Sequence, residues 1–323
     1  MEYPVMLQIE HIFYPALAVF GVPVNLMAIV ILSRGKCGLS KCITCYMVGM
    51  AAADLLVVIS EPIFYRIGQI YFPDSFLFIT PVCSFIYLLI ITATMISVWL
   101  TVAFTFDRFM AICCEKLRAK YCTEKTAAMV IGTVSVLGCL VSVPWYFRFE
   151  PEYIIDNVPW YCITKPVFFT STAFDGYVIF CFTLGTCVPI CVILLLNFLI
   201  TRRISAASRG RRGLRGCSNA EKQKDPEMEN RRKSIILLFS ISGSFILLWV
   251  TQVVFYIYQR ITKIYSYPVT DPVYVTEVTA NMLQLLSTCT NTCIYVLTQK
   301  KFREELKNAV SYPLKLIVKI ERS

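Results

Sequence analysis

The stretch TPVCSFIYLLIITATMISVWLTVAFTFDRFMAI, residues 80–112, carries no charge from position 80 to position 106 and only then meets Asp107 and Arg108. A helix needs about 20 mainly apolar residues to cross the hydrocarbon layer of a bilayer, and this run is longer. Thr94, Ser97, Thr101, Thr105 and Arg108 recur along it at three- and four-residue steps. A helix gathers such positions on one face. The stretch therefore reads as a membrane-spanning helix whose polar face is turned away from lipid.

Outward from it lie six further apolar runs, at about 11–33, 43–68, 125–147, 175–201, 234–259 and 272–298. The 323-residue chain is 57% hydrophobic, with a mean hydropathy of +0.63, against about 45–50% apolar residues in a soluble domain. The fold class expected is an all-α membrane protein, a bundle of seven spans in which each helix satisfies its own backbone. No basic start or cleavage site marks residues 1–10 as a signal peptide, so the first span serves as its own insertion signal. Counting Arg108 and Lys125 at inner span ends and Arg66 at an outer one, 26 of the 31 Lys and Arg fall on the side of the odd-numbered connections and the C-terminal tail, and 5 on the other side. Positive segments stay cytosolic, which puts the N-terminus outside and the tail inside a plasma membrane. The net charge of +10 then faces anionic lipid and a protein partner, not nucleic acid.

The chain divides into a short extracellular N-terminus (1–10), a seven-span domain (11–298) and a cytoplasmic tail (299–323). Residues 204–230, with SRGRRGLRG followed by SNAEKQKDPEMEN, lack apolar periodicity and are predicted to be a flexible cytoplasmic loop. In KKFREELKNAV, Phe302, Leu306 and Val310 lie four residues apart among charges, which predicts an amphipathic eighth helix on the membrane surface, ending before Pro313. Of the fifteen cysteines, Cys83 and Cys162 fall on the oxidising side and suggest a disulfide between the second outer loop and the third helix. Cys37, Cys42 and Cys45 are too poorly spaced for a metal site and read as thiols.

Ionisable groups inside a span are costly and mark function. Asp54 lies mid-span, with Glu61 two helical turns further out on the same face. In the seventh span Glu277, Asn281, Gln284, Thr288, Asn291 and Tyr295 form another stripe at helical spacing. Interhelical hydrogen bonds, worth about 0.6–2 kcal/mol each, account for single hydroxyls. Three stripes together point to a partly wet channel of interactions from the outer mouth to the inner face.

In order along all seven spans the chain resembles rhodopsin-like (class A) G-protein-coupled receptors. The resemblance rests on Asn25 in GVPVN, Asp54 in AAADLL, the pair Cys83 and Cys162, Asp107, Arg108 and Phe109 in FDRFMAIC, Pro189, Phe245 and Trp249 in FILLW, and Asn291 to Tyr295 in NTCIY. Departures are Thr251 and Thr292 where prolines are usual, Asn197 where a tyrosine is common, and a fourth span without a tryptophan in its body. Two built-in bends are lost with the prolines, which bears on the amplitude of activation. AAADLLV, SVWLTVAFTFDRFMAIC and ANMLQLL are similar to a small orphan subgroup described as sensing tryptophan and phenylalanine; Gln252 stands where that subgroup has a basic residue.

The resemblance implies a non-enzymatic receptor that binds an extracellular amino acid or short peptide and activates a heterotrimeric G protein of the calcium-raising class. Ligand entering between the third, sixth and seventh spans would meet Ile90, Ile91, Thr94, Trp249, Gln252, Tyr256, Glu277 and Asn281, mostly apolar with a few polar anchors. Ile90 stands where amine receptors carry an aspartate, and Glu61, Arg66 and Glu277 offer charges for a ligand's ends. Asp54, Ser97, Ser287 and Asn291 resemble the family's sodium site, the one bound group expected. Asp107, Arg108, Phe109, Trp249, Asn291 and Tyr295 are the expected switch and G-protein-coupling residues.

Other classes fare worse. No lysine lies in the seventh span for a retinal Schiff base, a single histidine excludes an HExxH metal site, and the place of that histidine, His11, near the outer end of the first span argues against a serine–histidine pair. A seven-helix cation channel or transporter using Asp54 and Glu61 is the remaining alternative. RRIS and RRKS place Ser205 and Ser234 after paired arginines, a pattern basophilic kinases favour. Arg231 falls where relatives carry an acid that holds the third-helix arginine, which predicts ligand-independent activity.

Overall fold

The computed structural model describes residues 5–215, 226–264 and 267–321. The expected helices are there: α1 (Val5–Ser33), α2 (Lys41–Tyr71), α3 (Thr80–Cys113), α4 (Glu124–Arg148), α5 (Thr172–Phe182, continued by Val188–Arg215), α6 (Pro226–Thr262), α7 (Pro272–Thr298) and α8 (Lys300–Glu321). Six of them, α1 to α6, are long and apolar enough to cross a membrane by length and composition. The seventh, α7, has 27 residues, enough for about 40 Å of helix, and its polar stripe lowers its hydropathy.

Local chemistry sets the ends. Ser40 Oγ accepts from the Ile43 amide at 3.4 Å, Thr123 Oγ1 from Thr126 at 3.2 Å and Asp271 Oδ1 from Val273 at 2.8 Å, capping α2, α4 and α7. Pro81 and Pro272 occupy the first helical turn, where no amide hydrogen is needed. Gly35, at φ +68°, returns its amide to Leu32 O at 2.9 Å and ends α1 in a conformation that suits glycine.

The core lies around α2, α3 and α7, with Met47, Met50, Ala93, Phe104, Ile193, Leu237 and Tyr295 all 0% exposed. The least buried span is α4; Trp145 at its outer end packs with Phe168 and Tyr177. Gly185 lets α5 approach α3, since a Cβ there would stand 2.8 Å from Met95 Sδ.

Four expectations are corrected. Helix α1 begins at Val5, so 5–10 are helical. Residues 204–215 continue α5 and 226–230 begin α6, which leaves only 216–225 of the expected loop, outside the described residues. Propagating an existing helix is far easier than nucleating one, and the long apolar spans on each side supply that start. Helix α8 runs through Pro313 to Glu321. Glu61 and Asp54 do not share a simple α-helical face, because α2 becomes a π-helix at Ile59–Ile67 around Pro62. Proline removes an amide donor from the ladder, and the wider turn rotates the residues beyond it.

The second outer loop contains structure that helical periodicity does not announce. Strands β1 (Phe149–Glu150) and β4 (Ile163–Thr164) pair antiparallel and flank a hairpin of β2 (Tyr153–Ile155) with β3 (Val158–Trp160). Its two-residue turn, Asp156–Asn157, has φ of 50° and 60°, as a tight hairpin requires. The predicted Cys83–Cys162 disulfide is formed, and Thr80 Oγ1 donates to Tyr161 O at 2.7 Å. Together they fasten the loop over the outer end of α3.

Candidate functional site

The polar stripes meet inside the bundle in three tiers. In the outer tier Ile90 is buried, while Thr94 Oγ1 and Gln252 Oε1 are buried with no hydrogen-bond partner among the described residues. Such atoms cost free energy in a bare protein and are natural partners for a bound polar group. The Tyr256 ring stacks on Phe182 at 3.5 Å, and Arg260 at the end of α6 pairs with Asp175 of α5 at 2.6 Å. Asn281 and Glu277 are half-buried on α7. Ile91 is turned elsewhere, against the group of Trp145, Phe168 and Cys181.

Of the outer charged cluster, sequence reasoning named Glu61, Arg66 and Glu277 and missed Glu10 with its tyrosine partners. Arg66 lies beneath the rings of Tyr14 and Tyr65, 5.4 and 5.3 Å from their centroids, and reaches Glu61 at 3.5 Å. Glu10 is 7% exposed and accepts from Tyr14 at 3.3 Å and Tyr274 at 3.0 Å. The four-residue step from Glu10 to Tyr14 was the available signal; the pairing with Tyr274 crosses from α1 to α7 and was invisible.

The middle tier is a small polar cavity. Asp54, 2% exposed, accepts from Ser97 Oγ at 2.5 Å and from Asn291 Nδ2 at 2.9 Å. Thr101, Ser244, Ser287 and Thr290 complete an oxygen-rich lining under Phe245 and Trp249. A carboxylate among hydroxyl and amide oxygens is the donor set a hard monovalent cation takes. Trp249 Nε1 donates to Ser287 Oγ at 3.2 Å, which joins the floor of the outer tier to this cavity. Nearby, Asn25 ties α1 to α7 through Thr288 O at 3.0 Å.

In the inner tier Asp107 and Arg108 are 5% and 6% exposed. Arg108 donates Nε to Asp107 at 3.0 Å and Nη2 to the same oxygen, and Nη1 reaches Ser234 Oγ of α6 at 3.3 Å. Asp107 is held in turn by Cys42 Sγ at 3.0 Å and, through its carbonyl, by Cys122 Sγ at 3.6 Å. Burial, and secondarily Asp107, push the Cys122 thiol up to about 11, so it stays protonated and able to donate. Phe109 packs at the edge of the core cluster beside Phe106. Tyr295 is fully buried against Phe302 of α8, with its hydroxyl unpartnered. The side chain of Arg231 lies outside the described residues.

This geometry can be set beside known proteins. The mouse "Probable G-protein coupled receptor 142" is 26% identical over 227 residues, 66% of this chain and 51% of the mouse protein, so the match spans about half of that relative. The chicken "Blue-sensitive opsin" is 25% identical over 296 residues, 89% of this chain and 74% of the opsin. Residues 24–295 match the family model "7 transmembrane receptor (rhodopsin family)". With the match running through every span that builds the three tiers, the chain belongs to the rhodopsin family of seven-transmembrane receptors and is a multi-pass membrane protein.

Proposed function

We propose that this receptor sits in the plasma membrane with its N-terminus outside, binds an amino acid or short peptide in the outer tier, and activates a heterotrimeric G protein of the calcium-raising class at its inner face. The observation that carries the reading is the bond from Trp249 to Ser287, which ties Trp249, a ligand contact in this proposal, to the lining of the Asp54 cavity. The printed name of the mouse relative supports G-protein coupling, and the tryptophan- and phenylalanine-sensing subgroup supplies the first ligands to try.

A ligand transmits only what it binds differently in two states. Contacts to Thr94, Gln252 and Trp249 would shift Trp249, release Ser287 and reshape the cavity around Asp54. Sodium, held there by Asp54, Ser97, Ser287 and Asn291, would favour the resting arrangement. Release of Arg108 from Ser234 would let the inner end of α6 move out and open a basic face to the G protein.

The test is a calcium and G-protein-dissociation screen of the expressed receptor against amino acids and short peptides, with tryptophan and phenylalanine first. Agonist affinity is expected to fall as sodium rises, and Asp54→Asn to remove that dependence. Equal sodium sensitivity in both proteins would refute the cation role. Steady ion current or uptake with no G-protein response would replace the receptor reading by a channel or transporter.

A further inference from the structure

The guanidinium of Arg108 has five N–H donors, and Asp107 takes only those of Nε and Nη2. Asp107 is itself held by Cys42 and Cys122, so the remaining edge of the group, Nη1, is left to α6. There it meets the hydroxyl of Ser234 at 3.3 Å, just beyond the usual 2.7–3.2 Å range. Among the described residues Arg108 has one ion pair, the one with Asp107, so its contact with α6 is a neutral one. Ser234 is half-buried and opens the apolar run of α6, directly after Arg231, Arg232 and Lys233. Two features thus fall on one hydroxyl: the paired arginines that basophilic kinases read, and contact with the arginine of the inner tier. Ser205, the other serine behind paired arginines, is exposed on α5 and takes none of the Arg108 donors.

We propose that Ser234 is a phosphorylation site and that its phosphate, paired with Arg108 of α3, closes the inner face. Ser234 Oγ attacks the terminal phosphorus of a nucleoside triphosphate; the new O–P bond replaces the bond to the departing nucleoside diphosphate, and the hydroxyl proton goes to the kinase's base. A serine phosphate carries about −1.5 to −2 charge at pH 7 and three acceptor oxygens, and a guanidinium grips a phosphate with short parallel bonds. The neutral contact between α3 and α6 becomes an ion pair. Phosphorylation thereby supplies the acid that this end of α6 lacks at Arg231. Access follows from the receptor reading above, on which the proposal rests and to which it adds a regulation. Outward movement of α6 frees Ser234 from Arg108, and the serine lies only eight residues after Pro226 at the start of that helix, where helix ends open at little cost. An open receptor is the better kinase substrate, and the product is a receptor held shut.

The experiment treats the full-length receptor, in phosphatidylcholine nanodiscs, with ATP and the catalytic subunit of the cyclic-AMP-dependent kinase, an arginine-directed enzyme. Phosphopeptide mapping is expected to find phosphate on Ser234. Basal nucleotide exchange on a G protein of the calcium-raising class should then fall at least about threefold. With no G protein present, the Tm of the receptor should rise by about 2 °C or more, which a phosphate that only hindered G-protein docking would not cause. Ser205→Ala should keep both effects and Ser234→Ala lose both, while Arg108→Gln should take up phosphate without the rise in Tm. No phosphate on Ser234, an unmoved Tm in the phosphorylated parent, or basal exchange that does not fall overturns the proposal without needing a variant. So does an Arg108→Gln protein that keeps the rise. A Tm rise in a parent that activates no G protein at all sustains the pairing and removes the receptor reading; basal exchange with a Tm indifferent to phosphate does the reverse.

Discussion

At the inner end of α3, the Arg108 side chain is 7% exposed and gives donors to Asp107 and to Ser234. At the outer end of α2, the Arg66 side chain is 24% exposed and makes one long contact to Glu61, with its Nε unpartnered among the described residues. Each arginine has an acid close by in sequence, at one and five residues, so the two look alike on paper. Their surroundings differ in what they leave over. An arginine whose donors are taken up by its own fold holds a conformation in place. One whose donors remain is open to a group from outside.

That contrast can be broken most sharply at Asp107. Removing one partner of a buried pair costs about 3–5 kcal/mol, so Asp107→Asn is expected to raise basal G-protein activation, per receptor at the surface, by more than about tenfold. An unchanged basal signal would mean that Arg108 restrains nothing. The next effect is smaller: Ser234→Ala removes one hydrogen bond of about 1 kcal/mol and should raise basal activity up to about fivefold in the same assay. If basal activity falls instead, Ser234 does not help close the inner face.

At the other arginine the one contact is long, 3.5 Å. Glu61→Gln should cost about 1 kcal/mol or less, read as a Tm decrease clearly below that of Asp107→Asn; equal decreases would erase the distinction between the two arginines. Arg231→Glu is expected to have the smallest effect, lowering basal activity by about twofold by supplying the acid that the family resemblance expects at this position, at the screened membrane boundary. No drop would show that the missing acid has no consequence, and that Ser234 alone serves there.

The prolines sharpen the same lesson about context. Pro62 lies within a π-helical turn of α2, and another such turn, Thr183–Cys187, runs up to Pro189 of α5. Helices α6 and α7, with Thr251 and Thr292 in place of prolines, run as uninterrupted α-helix. The two missing prolines were legible in the residue types. The π turn that aims Arg66 was not, because Pro15 and Pro23 sit inside α1 without producing one.

What the amino-acid sequence determined by itself was the seven spans, their polar stripes and the cysteine pair. Hydropathy and helical spacing are local, and lipid enforces them on every helix separately. Asp54, Ser97 and Asn291 were likewise legible, as polar residues spaced along helical stripes or alone in an apolar run, whereas Ser287 entered only through the family resemblance. Only the tertiary structure decided which acid meets which arginine, that Ser234 reaches Arg108, that Ile91 turns toward α4 and α5, and that a hairpin covers α3. Those contacts join residues far apart in the chain, such as Glu10 and Tyr274. Their energies depend on distance and on burial, and neither exists until the helices have packed.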